Sequence, residues 1–397
     1  MVFIFWACLF VIFYTYIGYG ILLYLLVKCR RVVKGRRVVP TGKIDFPSIT
    51  VIVAAYNEEK IIEEKIFNTI SLNYPAGKCS YIFITDGSVD NTPGIVSRYP
   101  QIKLMHDSRR LGKINAVHRA IQEVDTEIVV FTDANTILNE EALTNMARHY
   151  SDVKVGAVAG EKRVAISESS DATAGEGFYW KYESILKNMD SELNSVMGAA
   201  GELFSIRTSL YQPVSPNAIL DDFMISLLIA EKKYRVVYEP AAYALENASS
   251  DIKEELKRKI RIAAGGIQSV IWLRKLLNPF RHPILSFQYF SHRVLRWTLA
   301  PFCLILAFVT NLFIVFQKAD PLYVSLLAAQ ILFYAGAITG WFFEKKEIKI
   351  KAFFIPFYFC IMNYAVIKGI GRYYSGAQSA AWEKSKRKPQ RLKEILK

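Results

Sequence analysis

The chain has 397 residues, of which 52% are hydrophobic, room for a domain of ordinary size and several apolar helices besides. Its 5 cysteines are widely spaced without a CxxC pair, which excludes a disulfide framework and a cysteine zinc site. The formal charge of +14 comes without an aromatic-interleaved basic groove, so nucleic acid is excluded as a partner and anionic lipid or a phosphorylated substrate remains.

Residues 1–27 carry no charge and are long enough to cross a bilayer as a helix. The basic start and small-residue cleavage site of a signal peptide are both missing. A basic linker follows at 28–46, opening with KCRRVVKGRR. Positive flanks stay inside, so the N-terminus is expected outside and the following domain in the cytoplasm.

Residues 47–262 read as an α/β domain. Buried strands are expected at Ile49–Ala54, Tyr81–Thr85, Ile102–His106 and Ile128–Phe131, with helices at Glu58–Ser71, Gly94–Arg98 and Lys113–Val124 between them. Strands alternating with helices predict a parallel sheet with right-handed crossovers. Ligands bind such sheets beyond the carboxyl ends of the strands. Polar clusters stand at three of those ends: AAYNEE from Ala54, ITDGSVD from Ile84 and TDAN from Thr132. Asp133, with Asn135 two residues on, offers oxygen ligands suited to a hard divalent cation. Each cluster also has a structural explanation, with Asn57 as a cap and Gly87 as a turn former.

Taken in order, PSITVIVAAYNEEKII, ITDGSVDNT, GKINAVHRAI, VVFTDANT, VGAVAGEKRV, FYWKYES, GAAGELFSIR and ILDDFMIS resemble the motifs of family 2 glycosyltransferases. The resemblance is to the membrane-integrated branch that holds cellulose, chitin, hyaluronan and poly-N-acetylglucosamine synthases. It implies a GT-A nucleotide-diphosphate-sugar fold and inverting transfer, with a UDP-sugar as the expected donor. It further implies Tyr56 and Glu58 against the nucleoside, Asp86 on the base, and Lys113 near the nucleotide or its phosphates. Asp133 would bind Mg2+ or Mn2+, with Asn135 standing where many relatives carry a second aspartate. Asp222 would be the general base and Asp221 its acidic neighbour; both also suit the start of a helix. On the acceptor side the implied residues are Gly201, whose lack of a side chain permits close approach to a sugar, and Trp180 and Glu183. Arg261 matches the arginine of a Gln-x-x-Arg-Trp motif and would pair with the diphosphate. Arg258 replaces the glutamine and Ile262 the tryptophan, which predicts short products or a lipid-linked acceptor.

Residues 263–297 are expected as amphipathic helices at the membrane interface. Residues 298–374 hold two spans, Thr298–Phe316 and Leu322–Phe343, then an interfacial or re-entrant helix over Phe353–Tyr374 that contains Pro356, Lys368 and Arg372. The basic tail, 375–397, is expected in the cytoplasm, and its Trp382 is a second candidate sugar platform. The expected partners are a nucleotide-sugar donor, a glycan or lipid-linked acceptor and membrane lipids. A second copy of the chain or an export partner is left open. A non-processive transferase and a catalytically degenerate scaffold are the alternative readings.

Overall fold

The computed structural model describes residues 1–37, 45–165, 173–247, 252–346, 348 and 350–376. Its centre is a sheet of 8 strands in the order β3-β2-β1-β4-β7-β6-β8-β5. The strands are β1 (Ile49–Ala55), β2 (Cys79–Asp86), β3 (Ile102–Asp107), β4 (Ile128–Asp133), β5 (Thr136–Leu138), β6 (Val155–Ala165), β7 (Leu203–Arg207) and β8 (Arg235–Asn247). The first four run parallel, as expected. Beyond β4 the expectation of a parallel sheet fails: β7 pairs antiparallel with β4 and with β6, and β5 antiparallel with β8. The sheet is mixed because Leu203–Arg207, the end of the GAAGELFSIR motif, is itself a strand that runs against its neighbours.

The sheet is buried on both faces, which is why its central strands read as unbroken apolar runs. Side chains alternate across a strand. Ile52, Ile84 and Phe131 pack with residues of the helices Lys113–Ile121 and Asp221–Glu231. Val51, Val53, Phe83 and Val130 pack with the helices Ile62–Ile70 and Ala142–Ala147 on the other face. The polar loops therefore project from one end of a rigid three-layer body.

Four helices among the described residues are long and apolar enough to cross a membrane: Val2–Lys34, Leu299–Gln317, Pro321–Lys345 and Ala352–Tyr374. Residues 263–269, expected at the membrane interface, are instead buried within the helix Ile252–Trp272. Their small side chains permit close packing: a Cβ added to Gly265 would meet Leu220 at 2.6 Å, and one added to Gly266 would meet Trp297 at 2.5 Å.

The first helix is fastened to the domain by a buried polar cluster. The Tyr19 hydroxyl donates to Asp190 at 2.5 Å, and Gln288 donates to the same carboxylate at 2.9 Å. His292 lies 2.5 Å from Asp190 through Nδ1 and 3.2 Å from Glu183 through Nε2. Arg293 and Arg296 reach Glu183 at 2.8 and 2.9 Å. Burial would raise the Glu183 carboxyl, but Arg293 and His292 hold it well below the usual carboxylate range.

Candidate active site

The loops at the carboxyl ends of β1 and β2 are stitched together. Asn57 takes a left-handed conformation (φ 54°), its backbone N–H donating to Ser88 at 3.1 Å and its side-chain oxygen accepting from Val89 N–H at 2.8 Å. Asparagine is among the few side chains that tolerate this conformation. Asp86 closes β2 and accepts from the backbone N–H groups of Leu111 and Gly112 at 3.1 and 2.7 Å. The chain crosses tightly here: Gly87 has φ 69°, and a Cβ on it would lie 2.7 Å from that of Arg110. The Arg110 guanidinium in turn covers the Tyr56 ring at 4.0 Å from its centroid. Tyr56, Asp86 and Lys113 thus line one small cleft with Arg110. Glu58 is not among its lining residues. It is buried, its N–H donates to Thr92 at 2.8 Å, and its carbonyl accepts from Ile61 and Ile62. The chain reverses at Asn57, which separates Glu58 from Tyr56.

Lys113 also borders a second, larger cavity of about 720 Å³, which holds Asp133, Gly201, Asp221, Asp222 and Arg261. Asp133, the last residue of β4, meets the Lys113 ammonium at 2.5 Å. Burial raises the Asp133 carboxyl, against the pull of Lys113. Burial also works against the charge of Lys113, but Asp133, Asp221 and Asp222 outweigh it and raise its pKa. Asp221 and Asp222 form the first turn of the helix Asp221–Glu231, whose N-cap is Leu220, so they favour the helix dipole without being caps. Burial and the neighbouring Asp221 charge push the Asp222 carboxyl up to about 7. Gly201 leaves the space between the two halves of the site open: a Cβ there would stand 3.3 Å from Lys113 Nζ and 3.4 Å from Asp222 Oδ2.

The remaining expected residues divide. Asn135 is half-buried in the turn between β4 and β5 and does not line the cavity. Glu183 reaches the cavity but is committed to Arg293, Arg296 and His292, so it is an anchor of the helix Thr173–Leu193 rather than a free acceptor ligand. The Trp180 side chain and Trp382 lie outside the described residues. Arg258, which stands in place of the motif's glutamine, is neutralised by a forked pair of bonds to Glu255 at 3.0 and 2.9 Å. Arg261 lines the cavity with a buried Nε that lacks a hydrogen-bond partner among the described residues.

Several residues of the site were not singled out from the sequence. Glu202 and Lys162 form a buried ion pair on the cavity wall, joined by Glu246. Burial would raise Glu202, and Lys162 holds it below the usual range. Arg372, in the last turn of the helix Lys351–Tyr374, lines the same cavity. Its signal was an arginine, with Lys368 one turn before it, at the end of a largely apolar helix, where a charge is a functional candidate by default.

Among the described residues no group of three acidic, histidine or cysteine side chains is gathered to hold a hard divalent cation, so Asp133 offers one carboxylate ligand rather than a complete site. Asp133 already holds one positive charge, the Lys113 ammonium, and Asp221, Asp222 and Glu202 share its cavity. Carboxylate oxygens are the ligands such ions prefer.

Comparison with known proteins agrees with this geometry. Residues 50–214 match the model of glycosyl transferase family 2. That match takes in Tyr56, Asp86, Lys113 and Asp133 and ends before Asp221. The chain is similar to the poly-beta-1,6-N-acetyl-D-glucosamine synthase of Staphylococcus aureus, with 27% identity over 232 residues, covering 56% of this chain and 55% of that protein. The synthase of Staphylococcus epidermidis is likewise 27% identical over 231 residues, covering 55% of this chain and 54% of that protein. The chain therefore spans about half the length of the curated relatives it matches. Among solved structures it is similar to a mannosyltransferase from Pyrobaculum calidifontis in complex with GDP-Man and Mn2+, with a TM-score of 0.71 and 23% identity, covering 94% of this chain and 100% of that one. The mixed sheet is that of the GT-A fold.

Proposed function

We propose that this chain is a membrane-bound inverting glycosyltransferase of polysaccharide biosynthesis that moves a sugar from a nucleotide sugar, a UDP-sugar, to a hydroxyl of a growing glycan. The observation that carries the reading is the cavity in which Asp222, raised to about 7, faces Lys113 and Asp133 across the gap left by Gly201. A general base works best with its pKa near the operating pH. Asp222 takes the proton of the acceptor hydroxyl as its oxygen attacks the anomeric carbon. The bond from that carbon to the diphosphate breaks on the opposite face, the electron pair leaves with the nucleoside diphosphate, and the configuration inverts. Lys113 meets the negative charge that grows on the leaving group. Tyr56 and Asp86 supply the cleft for the nucleoside, and Arg261 adds a positive charge for the diphosphate. A divalent cation, Mg2+ or Mn2+, held by Asp133 would neutralise the diphosphate.

Turnover of a panel of UDP- and GDP-sugars by the full chain in detergent tests this reading. Release of nucleoside diphosphate from one donor, dependent on Asp222, is the expected result. The relatives named for N-acetylglucosamine and the GDP-Man-bound neighbour define the two arms of the panel. No turnover with any donor would favour the degenerate scaffold.

The orientation we propose places the N-terminus outside and the catalytic domain in the cytoplasm. Lys28, Arg30, Arg31 and Lys34 at the inner end of the first helix support it. Arg372 shares a cavity with Asp222, which supports an interfacial or re-entrant helix Lys351–Tyr374 whose end lies on the catalytic side. One observation favours a lipid-linked acceptor as the second reading. Arg261 and Arg372 line the cavity without an acidic partner among the described residues, beside the apolar Ile262, Met362 and Val366. Sizing the product separates the two: long chains made from donor alone speak for a polymer.

A further inference from the structure

Lys65 lies on the helix Ile62–Ile70, between the fully buried Ile62 and Ile66, and is itself 0% exposed. A buried ammonium without a counter-ion is costly, and an apolar side chain would fill the same space without that cost. Among the described residues no carboxylate pairs with it. Its three hydrogen-bond donors go to neutral oxygens: Thr132 Oγ1 at 3.0 Å, the Thr136 carbonyl at 2.9 Å and Thr136 Oγ1 at 3.4 Å.

The Lys65 amino group donates to both hydroxyls, which can then aim their own protons elsewhere. Thr136 Oγ1 donates to the Asp133 carbonyl at 2.9 Å, and Thr132 Oγ1 donates to the Glu202 carbonyl at 2.9 Å. One buried group thus fixes two backbone carbonyls. The first belongs to the turn that carries Asp133, the second to the loop whose Gly201 stands against Lys113 and Asp222. Asn68, one turn along the same helix, clamps Leu138 through both its amide groups at 2.8 and 2.9 Å and holds the far end of that turn.

We infer that Lys65 is a positioning residue: it sets the spacing between the cation-binding carboxylate and the base-bearing side of the cavity through the two threonine hydroxyls. The inference rests on the reading of Asp133 as the cation ligand. It also separates from a purely electrostatic role. By charge alone, removing Lys65 would favour a cation at Asp133; by positioning, removal weakens it.

The test is the gain in UDP and GDP affinity that Mn2+ confers on the full chain in detergent, measured by calorimetry beside thermal melting. In Lys65→Met the Mn2+-dependent gain falls about tenfold, the lower end of the usual loss for an outer-shell partner of a metal ligand, while metal-free nucleotide binding is retained. Thr136→Val, which keeps the lysine, gives the same loss, and Thr136→Ser restores the gain; this pair decides the matter if Lys65→Met does not fold. A Mn2+ gain that is unchanged or larger in both Lys65→Met and Thr136→Val overturns the inference. Asp133→Ala tells the two failures apart. If it abolishes the gain while the other variants keep it, only the role of Lys65 falls; if it leaves the gain intact, the cation reading falls with it.

Discussion

Asp221→Asn isolates one of the two causes that raise the Asp222 carboxyl. Burial is the larger and stays; the charge of Asp221 is the next and is removed. Carboxylates on consecutive residues of a helical turn stand about 6–7 Å apart, so at an effective dielectric of ~20 one unit charge is worth about 2.5 kcal/mol. Water in an open cavity screens part of this, and about half survives, close to the ~1.4 kcal/mol of one pKa unit. Asp222 must be ionised to accept a proton, so activity rises with pH through its pKa, about 7 in the unmodified chain. In Asp221→Asn the rise moves to about pH 6, and kcat/KM at pH 6 climbs from about a tenth to about half of the high-pH plateau. The assay is kcat/KM for release of nucleoside diphosphate from pH 5 to pH 9, which reports the groups of the protein without bound donor. An acid limb that stays at its original pH would refute the placement of Asp222 as base or of Asp221 as its electrostatic neighbour.

Asp222→Asn retains donor binding and lowers turnover by about 10²- to 10⁴-fold, the worth of a general base, in single-turnover assays. It also changes stability with a definite sign. The folded carboxyl titrates near 7, far above an unfolded aspartate at about 3.9, so the folded state holds more protons between those values and loses stability as pH rises through them. The asparagine lacks this penalty, so its melting temperature gains on the parent more at pH 8 than at pH 4. Asp133→Ala abolishes metal-dependent nucleotide binding, whereas Asn135→Asp keeps or strengthens it, as calorimetric titration with and without Mn2+ will read. Gly201→Ala places a methyl 3.3 Å from Lys113 and 3.4 Å from Asp222, so it lowers kcat by about tenfold or more with little change in melting temperature; full activity in a folded Gly201→Ala would show that the reacting groups do not meet there.

The parallel half of the sheet was legible because strands buried on both faces announce themselves as apolar runs, and the polar residues that end them fall where ligands bind. The antiparallel half was not, since Leu203–Arg207 carries no local sign of the direction in which it will run. Tyr56, Asp86, Lys113, Asp133, Asp221 and Asp222, which line the two cavities, could be singled out as candidates because each sits in a short contiguous motif. Glu183 was misread for the opposite reason: its partners Arg293 and Arg296 are more than a hundred positions away, and nothing near it in the chain tells a committed carboxylate from a free one. Ala263, Ala264, Gly265 and Gly266 did carry a signal. A run of side chains that small is a poor face for lipid headgroups and a good one for another helix. Lys65 gave none: a lysine in an amphipathic helix reads as solvent-facing until the fold places threonines above it.

The cluster around Asp190 bears on how the protein can be handled. A chain trimmed to start near Pro47 looks like a route to a soluble catalytic fragment. Trimming would remove Tyr19 from Asp190, leave that carboxylate short of a donor in a dry interior, and uncover Leu186, which packs on Leu23 and Val27. The first helix is therefore part of the body that carries the candidate site as well as its mooring. Fragments without it should aggregate, and a reagent that pulls on this helix from the membrane pulls on the wall of the candidate site.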